Sequence, residues 1–130
     1  MTNIEKLYEL AGITCKDLEF CKDCIYLKDN LCVSKQEFVE ECLPFTANKQ
    51  LELIKFIEKI DWVDCLTTYF YAVRQLWVFI VSPVKEFSNE QLKYFASEDK
   101  DFSQALSGLI IELWNDLTEQ QRNEIKEILK

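Results

Sequence analysis

Four cysteines within a short stretch are the strongest chemical signal in this chain. Cys15, Cys21, Cys24 and Cys32 follow the spacing C-x5-C-x2-C-x7-C. A C-x2-C pair can point both sulfurs at one ion from a tight turn, and two flanking cysteines can complete a tetrahedron with Zn–S distances of about 2.3 Å. The sequence therefore predicts a structural zinc site formed by these four thiolates.

Two alternatives stay open for this cluster. Four cysteines also ligate iron–sulfur clusters, and reduced cysteines are often simply small core side chains. The spacing differs from the common zinc pattern of two C-x2-C pairs. Cys42 could replace an outer ligand, although its predicted helix favours core packing, and Cys65 lies outside the cluster.

The residue types that are missing from the chain exclude several kinds of catalytic site. The chain has no histidine and only two glycines. A Ser/His/Asp arrangement is therefore excluded, and so is a glycine-rich loop around a phosphate. Four thiolate ligands normally fill the coordination sphere of a zinc ion and leave no position for a substrate. We expect a protein that is not an enzyme; the alternative is metal-dependent chemistry at an open coordination site.

Acidic charge is concentrated toward the end of the chain. The net charge is −8, and residues 86–130 carry ten acidic and five basic side chains. This balance disfavours direct binding to nucleic acid, where Lys and Arg supply most of the affinity, and suits a partner protein with a basic surface. The alternative is that the acidity only keeps the protein soluble. We predict that Glu98, Asp99 and Asp101, in the segment SEDKD, contact that partner; a solvated loop is the alternative.

Capping patterns predict where the helices begin, because Ser or Thr followed three residues later by Glu or Gln satisfies the first backbone N–H groups. The expected N-caps with this pattern are Thr2, Ser34, Ser88 and Thr118, and Thr46 is expected to cap a further helix without it. Gly12 is expected to end the first helix. Apolar stripes at helical spacing follow several of these caps; they are Leu53, Ile54, Ile57 and Ile60, then Leu106, Leu109, Ile110, Leu113, Trp114 and Leu117, then Ile125, Ile128 and Leu129.

The segment 62–82 is rich in β-branched and aromatic residues, which favours two strands with a turn at Arg74-Gln75. One long buried helix also fits the length. The predicted fold is a single α+β domain over residues 1–130, mainly helical, with a small antiparallel two-stranded element and a Cys-rich N-terminal knuckle at residues 13–33, which includes a short hairpin. An all-α fold is the alternative.

The chain also carries signals about its compartment. The N-terminus MTNIEKLYELAG lacks the basic and apolar regions of a signal peptide, which predicts a cytoplasmic, reducing environment. The apolar run from Trp62 to Val81 is interrupted by Asp64 and Arg74, so we expect it to form core rather than a membrane span.

Two segments resemble a group of small uncharacterised proteins encoded by phages and prophages of Gram-positive bacteria. They are LPFTANKQLELIKFI, residues 43–57, and FSQALSGLIIELWNDLTEQQRNEIKEILK, residues 102–130. In that group a variable, often Cys-bearing N-terminal part precedes these segments. The resemblance implies a mobile-element protein in the cytoplasm of a bacterial host and carries over no functional residue.

This context leads to two hypotheses about function. The first is a non-enzymatic, acidic protein-binding module, an anti-CRISPR-like inhibitor of a bacterial defence system whose acidic face occupies a basic nucleic-acid channel. The alternative is a zinc-stapled adaptor or regulator of transcription.

Overall fold

The computed structural model describes residues 2–13, 45–84 and 94–130, together with the backbone of residues 27–28 and 31–32. This part of the chain contains a two-stranded pair, a three-stranded sheet and four α-helices, so the fold is mixed α+β. In chain order the elements are α1 (Asn3–Leu10), β1 (Leu27–Lys28), β2 (Leu31–Cys32), α2 (Ala47–Glu58), β3 (Val63–Tyr71), β4 (Leu76–Pro83), β5 (Phe95–Asp99), α3 (Phe102–Leu113), a 3-10 turn (Trp114–Asp116) and α4 (Glu119–Leu129).

Side-chain caps start three of the helices where the sequence predicted them. The hydroxyls of Thr2, Thr46 and Thr118 each accept the backbone N–H three residues later, at distances of 3.1–3.3 Å. At α4 the cap is reciprocal, because Gln121 Oε1 accepts from Thr118 N at 2.9 Å. After α1, Gly12 adopts a positive φ of 72°, which glycine tolerates without the steric clash of a side chain. These predictions are confirmed, and the helix predicted from Ser34 lies outside the described residues.

The segment 62–82 forms a β-hairpin, and the single-helix alternative is wrong. β3 and β4 pair antiparallel, with Thr68 opposite Phe79 and Tyr71 opposite Leu76. The predicted turn closes between them, where Gln75 takes a positive φ of 54° and its N–H bonds to the carbonyl of Ala72 at 3.3 Å. β-Branched and aromatic side chains pack well on a pleated surface, which explains why composition indicated strands here.

The sheet has three strands rather than the two that the sequence predicted. β5 pairs antiparallel with the second edge of β4, in the order β3-β4-β5. Its residues fall where the sequence predicted the end of a helix and the SEDKD loop. Phe95 is buried and packs against Trp62 with ring centroids 5.5 Å apart. Pairing with a distant strand thus overrides the local pattern.

Helix α3 lies at the centre of the packing. It contacts β4, β5 and α1, and every residue from 105 to 110 is buried. Gly108 permits the close approach, because a Cβ there would collide with Ser97 Oγ and lie 2.9 Å from Asn3 Nδ2. All six residues of the apolar stripe predicted between Leu106 and Leu117 are buried, so α3 is the helix that organises the core.

Three helices meet at the C-terminal end of α4. Tyr8 Oη donates to the carbonyl of Leu129 at 3.0 Å, and Lys49 Nζ donates to the carbonyl of Lys130 at 2.6 Å. Such donors satisfy carbonyls that have no partner within the helix. Burial raises the pKa of the Tyr8 hydroxyl. Burial also lowers the pKa of Lys49, against the opposing effect of the Glu52 charge.

Candidate interaction surface

The predicted metal ligands lie mostly outside the part of the chain that the structure describes. This holds for Cys15, Cys21 and Cys24, and for Cys32 only the backbone in β2 is described. In that backbone Leu27 pairs with Cys32 and Lys28 pairs with Leu31. The knuckle as a whole and its metal therefore remain predictions from the cysteine spacing.

Elsewhere in the described ranges, no three His, Cys, Asp or Glu side chains group together as metal ligands would. Cys65, on β3, is an exposed free thiol whose sulfur lies 4.0 Å from the hydroxyl of Thr67. The metal hypothesis thus concerns the N-terminal segment, and the described sheet and helices supply a packed core.

The three acidic residues predicted to contact a partner lie where β5 ends and α3 begins. We call Glu98, Asp99 and Asp101 the acidic corner. Glu98 and Asp101 are exposed and Asp99 is half-buried. Glu98 lies at a sheet position opposite Val78. This arrangement presents carboxylates from a strand end and a helix start within four residues of chain.

Two members of the acidic corner also hold the local backbone. Asp101 is the N-cap of α3, and its Oδ1 accepts from Gln104 N at 3.0 Å. Asp99 Oδ1 accepts from Asp101 N at 2.9 Å. Aspartate at these positions has a structural explanation that is independent of any partner. Glu98 makes no hydrogen bond or ion pair among the described residues, so both oxygens of its carboxylate are available for a contact.

The exposed aromatic residues are not the tryptophans. Trp62 and Trp114 are buried, and Trp77 packs against Phe102 with ring centroids 5.1 Å apart. Several exposed apolar side chains lie instead near the tip of the β3–β4 hairpin; they are Tyr69, Phe70, Tyr71 and Val73, which expose between 43% and 84% of their surface. The run TTYFYAV predicts a strand. Whether the side chains at the tip of the hairpin are exposed depends on which helices cover the sheet, and the sequence does not show how the helices are placed.

The apolar run from Trp62 to Val81 lies in the β3–β4 hairpin and contributes Val63, Phe79 and Val81 to the core. Among the helices of the described ranges, none combines the length and apolar character needed to cross a membrane.

Comparison of the chain with protein-family models, with curated proteins and with solved structures found no match. The functional interpretation therefore rests on the residues of this chain and on their arrangement.

Proposed function

We propose that this protein is a non-enzymatic, acidic protein-binding module and acts as an anti-CRISPR-like inhibitor in the cytoplasm of a bacterial host. The observation that supports the proposal is the surplus of acidic over basic side chains in residues 86–130, part of which stands at the acidic corner. A partner with a basic nucleic-acid channel is complementary to such a surface, and charge complementarity speeds association and selects partners.

The acidic corner dictates how the test variant must be built. Reversing the charge of Asp101 would remove the N-cap of α3 and would cost about 1 kcal/mol of stability. Weaker binding by such a variant could then result from partial unfolding. Asparagine keeps the accepting oxygen and is an equally good cap. The triple variant Glu98→Lys, Asp99→Asn, Asp101→Asn therefore removes the charge while it preserves both hydrogen bonds.

The test is protection of a phage in a bacterium whose CRISPR system targets it. We expect the wild-type protein to restore plaques and to co-purify with one component of the defence system after nuclease treatment, with binding that weakens as salt rises. The triple variant should lose most of both effects. A control with the same charge change is Glu9→Lys, Glu112→Lys, because both side chains are exposed helical residues outside the corner.

Two results would contradict the proposal. If the wild-type protein neither restores plaques nor retains a defence component, it is not an inhibitor of this kind. If the triple variant and the control behave like the wild type, the acidic corner is not the contact.

The second proposal, a zinc-stapled adaptor or regulator of transcription, is supported by the C-x2-C pair and its two flanking cysteines. Compact zinc sites with four cysteine ligands stabilise small binding modules. In this case the purified protein should contain about one equivalent of zinc and should retain RNA polymerase or DNA from an extract that has not been treated with nuclease. Recovery of neither would remove this alternative.

A further inference from the structure

We propose that the groove between α2 and α4 is a docking site for a basic segment of a partner protein, a helix that carries Lys or Arg around one or two apolar side chains. This inference rests on the proposed function only in taking the partner to be a protein with a basic surface. It adds an apolar anchor, which the acidic corner lacks.

The groove follows from the way the two helices are joined. Lys49, in the first turn of α2, reaches the final carbonyls of α4. At the opposite end, Lys59 and Ile60, just after α2, line one cavity together with Thr118 and Gln121 at the start of α4. The helices are therefore antiparallel, and the residues of α4 that line the groove run from Glu119 to Ile128, most of the length of that helix.

The floor of the groove is apolar. A cavity of about 680 Å³ opens over Phe56 and Ile128, two half-buried side chains that also pack against the core. Phe56 also lines a second cavity of about 500 Å³, so the two cavities are neighbours along the groove. Both are open to solvent along their length. A small molecule would leave much of its surface in water here, whereas tight sites for such ligands bury most of it. An open trough along most of α4 suits a helix.

The rim of the larger cavity is acidic. Glu119, Glu124 and Glu127 line it together with Gln120 and Asn123, and no basic side chain of the described ranges does. Glu127 is partly neutralised, because Lys130 Nζ lies 3.2 Å from its carboxylate. Glu119 and Glu124 are exposed and make no ion pair with other residues that the structure describes. Lysine or arginine side chains of an incoming helix would therefore find two unneutralised carboxylates beside an apolar floor.

Glu124 is the residue on which the charge test should focus. It lines both cavities and is exposed in the middle of α4, away from the cap at Thr118. The substitution Glu124→Lys therefore changes the rim without removing a helix cap. Glu112→Lys is the matched control, because Glu112 is an exposed helical glutamate that lines neither cavity.

The probe is a synthetic helical peptide of about 12 residues, the length of α2, with Lys and Arg around two leucines four positions apart. A second peptide has the same charge but alanines in place of the leucines. Binding is measured by isothermal titration calorimetry and located by amide chemical shifts. We expect the leucine peptide to bind about tenfold more tightly than the alanine peptide. Glu124→Lys should weaken binding of the leucine peptide about fivefold, whereas Glu112→Lys should bind it about as tightly as the wild type does.

A second variant tests the floor without changing charge. Ile128→Ala should weaken the leucine peptide and leave the alanine peptide unaffected, and thermal melts of each variant confirm that α4 remains folded. The groove proposal is overturned if the leucine peptide does not bind, if both peptides bind equally, or if Glu112→Lys weakens binding as much as Glu124→Lys.

The outcomes separate this proposal from the proposed function. If the wild-type protein and Glu124→Lys restore plaques equally well, the inhibitor function stands and the groove is not the surface that makes the contact. Conversely, selective peptide binding in the groove, combined with no restoration of plaques, would support the groove and reject the inhibitor.

Discussion

Acidic residues that stand next to one another in this sequence have different roles in the structure. Asp99 and Asp101 both accept backbone N–H groups at the start of α3, whereas Glu98, in the same short segment, makes no such bond within the described ranges. Tyr8 has an equally specific role, because its buried hydroxyl donates to the carbonyl of Leu129 at the end of α4. Polar side chains at helix ends thus connect elements that are distant in sequence.

Tyr8 should make stability fall at alkaline pH. Burial raises the pKa of its hydroxyl above the ordinary value of 10.0, so the folded protein keeps this proton at a pH where the unfolded chain loses it. Because the unfolded state then binds fewer protons, the free energy of unfolding decreases as pH rises above 10, by up to about 1.4 kcal/mol per pH unit from this group.

The measurement is urea denaturation between about pH 8 and pH 11, on either side of the ordinary tyrosine pKa, for the wild type and for Tyr8→Phe. The variant loses one hydrogen bond at all pH values, worth about 1 kcal/mol, but its stability should fall less steeply at the alkaline end. The lowered pKa of Lys49 acts in the opposite direction and is present in both proteins, so it cancels in the difference. Parallel curves for the two proteins would contradict the assignment.

Among the elements, the contact between α3 and β5 determines the layer structure. The helix can lie close to the strand only because residue 108 has no side chain, and the nearest atoms belong to Ser97 and Asn3. Asn3 Nδ2 in turn donates to the carbonyl of Gln104 at 3.1 Å, which ties α1 to α3. A methyl group at position 108 would therefore disturb two interfaces together.

Gly108→Ala should destabilise the protein by about 1–2 kcal/mol. Alanine favours a helix over glycine by about 1 kcal/mol, but overpacking in a close-packed core typically costs about 1–3 kcal/mol. The double variant Ser97→Ala, Gly108→Ala removes the colliding hydroxyl and leaves the Ser97 Cβ position 3.4 Å away, while Asn3 Nδ2 still lies 2.9 Å from the new methyl group. It should therefore recover only part of the loss. Chemical denaturation of the two single variants and the double variant tests this coupling. A Gly108→Ala protein that is as stable as the parent would show that the helix can move away from the sheet.

At the scale of the whole molecule, the residues that the structure describes form one hydrophobic cluster, which joins the four described α-helices to the three-stranded sheet. Its buried residues run from Ile4 in α1 to Leu129 in α4. Because this cluster is held by helices and strands outside residues 15–32, the N-terminal knuckle and the helical core should respond differently to loss of metal.

Replacement of Cys21 and Cys24 by serine should remove zinc and loosen residues 13–33 while the helices of residues 102–130 persist. Metal binding to thiolates stabilises the segment that supplies them. Zinc content by mass spectrometry and amide hydrogen exchange along the chain measure both effects. Cys65→Ser is the control, because this exposed thiol lies outside the cluster. A double variant that melts like the parent would contradict the metal hypothesis.

Features that depend on neighbours along the chain could be predicted from the sequence. The caps at Thr2, Thr46 and Thr118 and the apolar stripe of α3 were predictable, because capping and helical periodicity act within a few residues. Composition also indicated the β3–β4 hairpin. The cysteine spacing likewise predicts a metal site without reference to the rest of the fold.

The meeting of distant segments, by contrast, is a property of the tertiary structure. β5 becomes a strand because β4 offers a second edge and α3 packs against β5, and β4 is not a local neighbour. The acid-rimmed groove exists because α2 and α4 pack antiparallel, which brings Phe56 beside Ile128 and Glu124 from distant parts of the chain. Contacts between segments that are far apart in the chain depend on how helices pack and which strand edges are free. A single sequence does not show either.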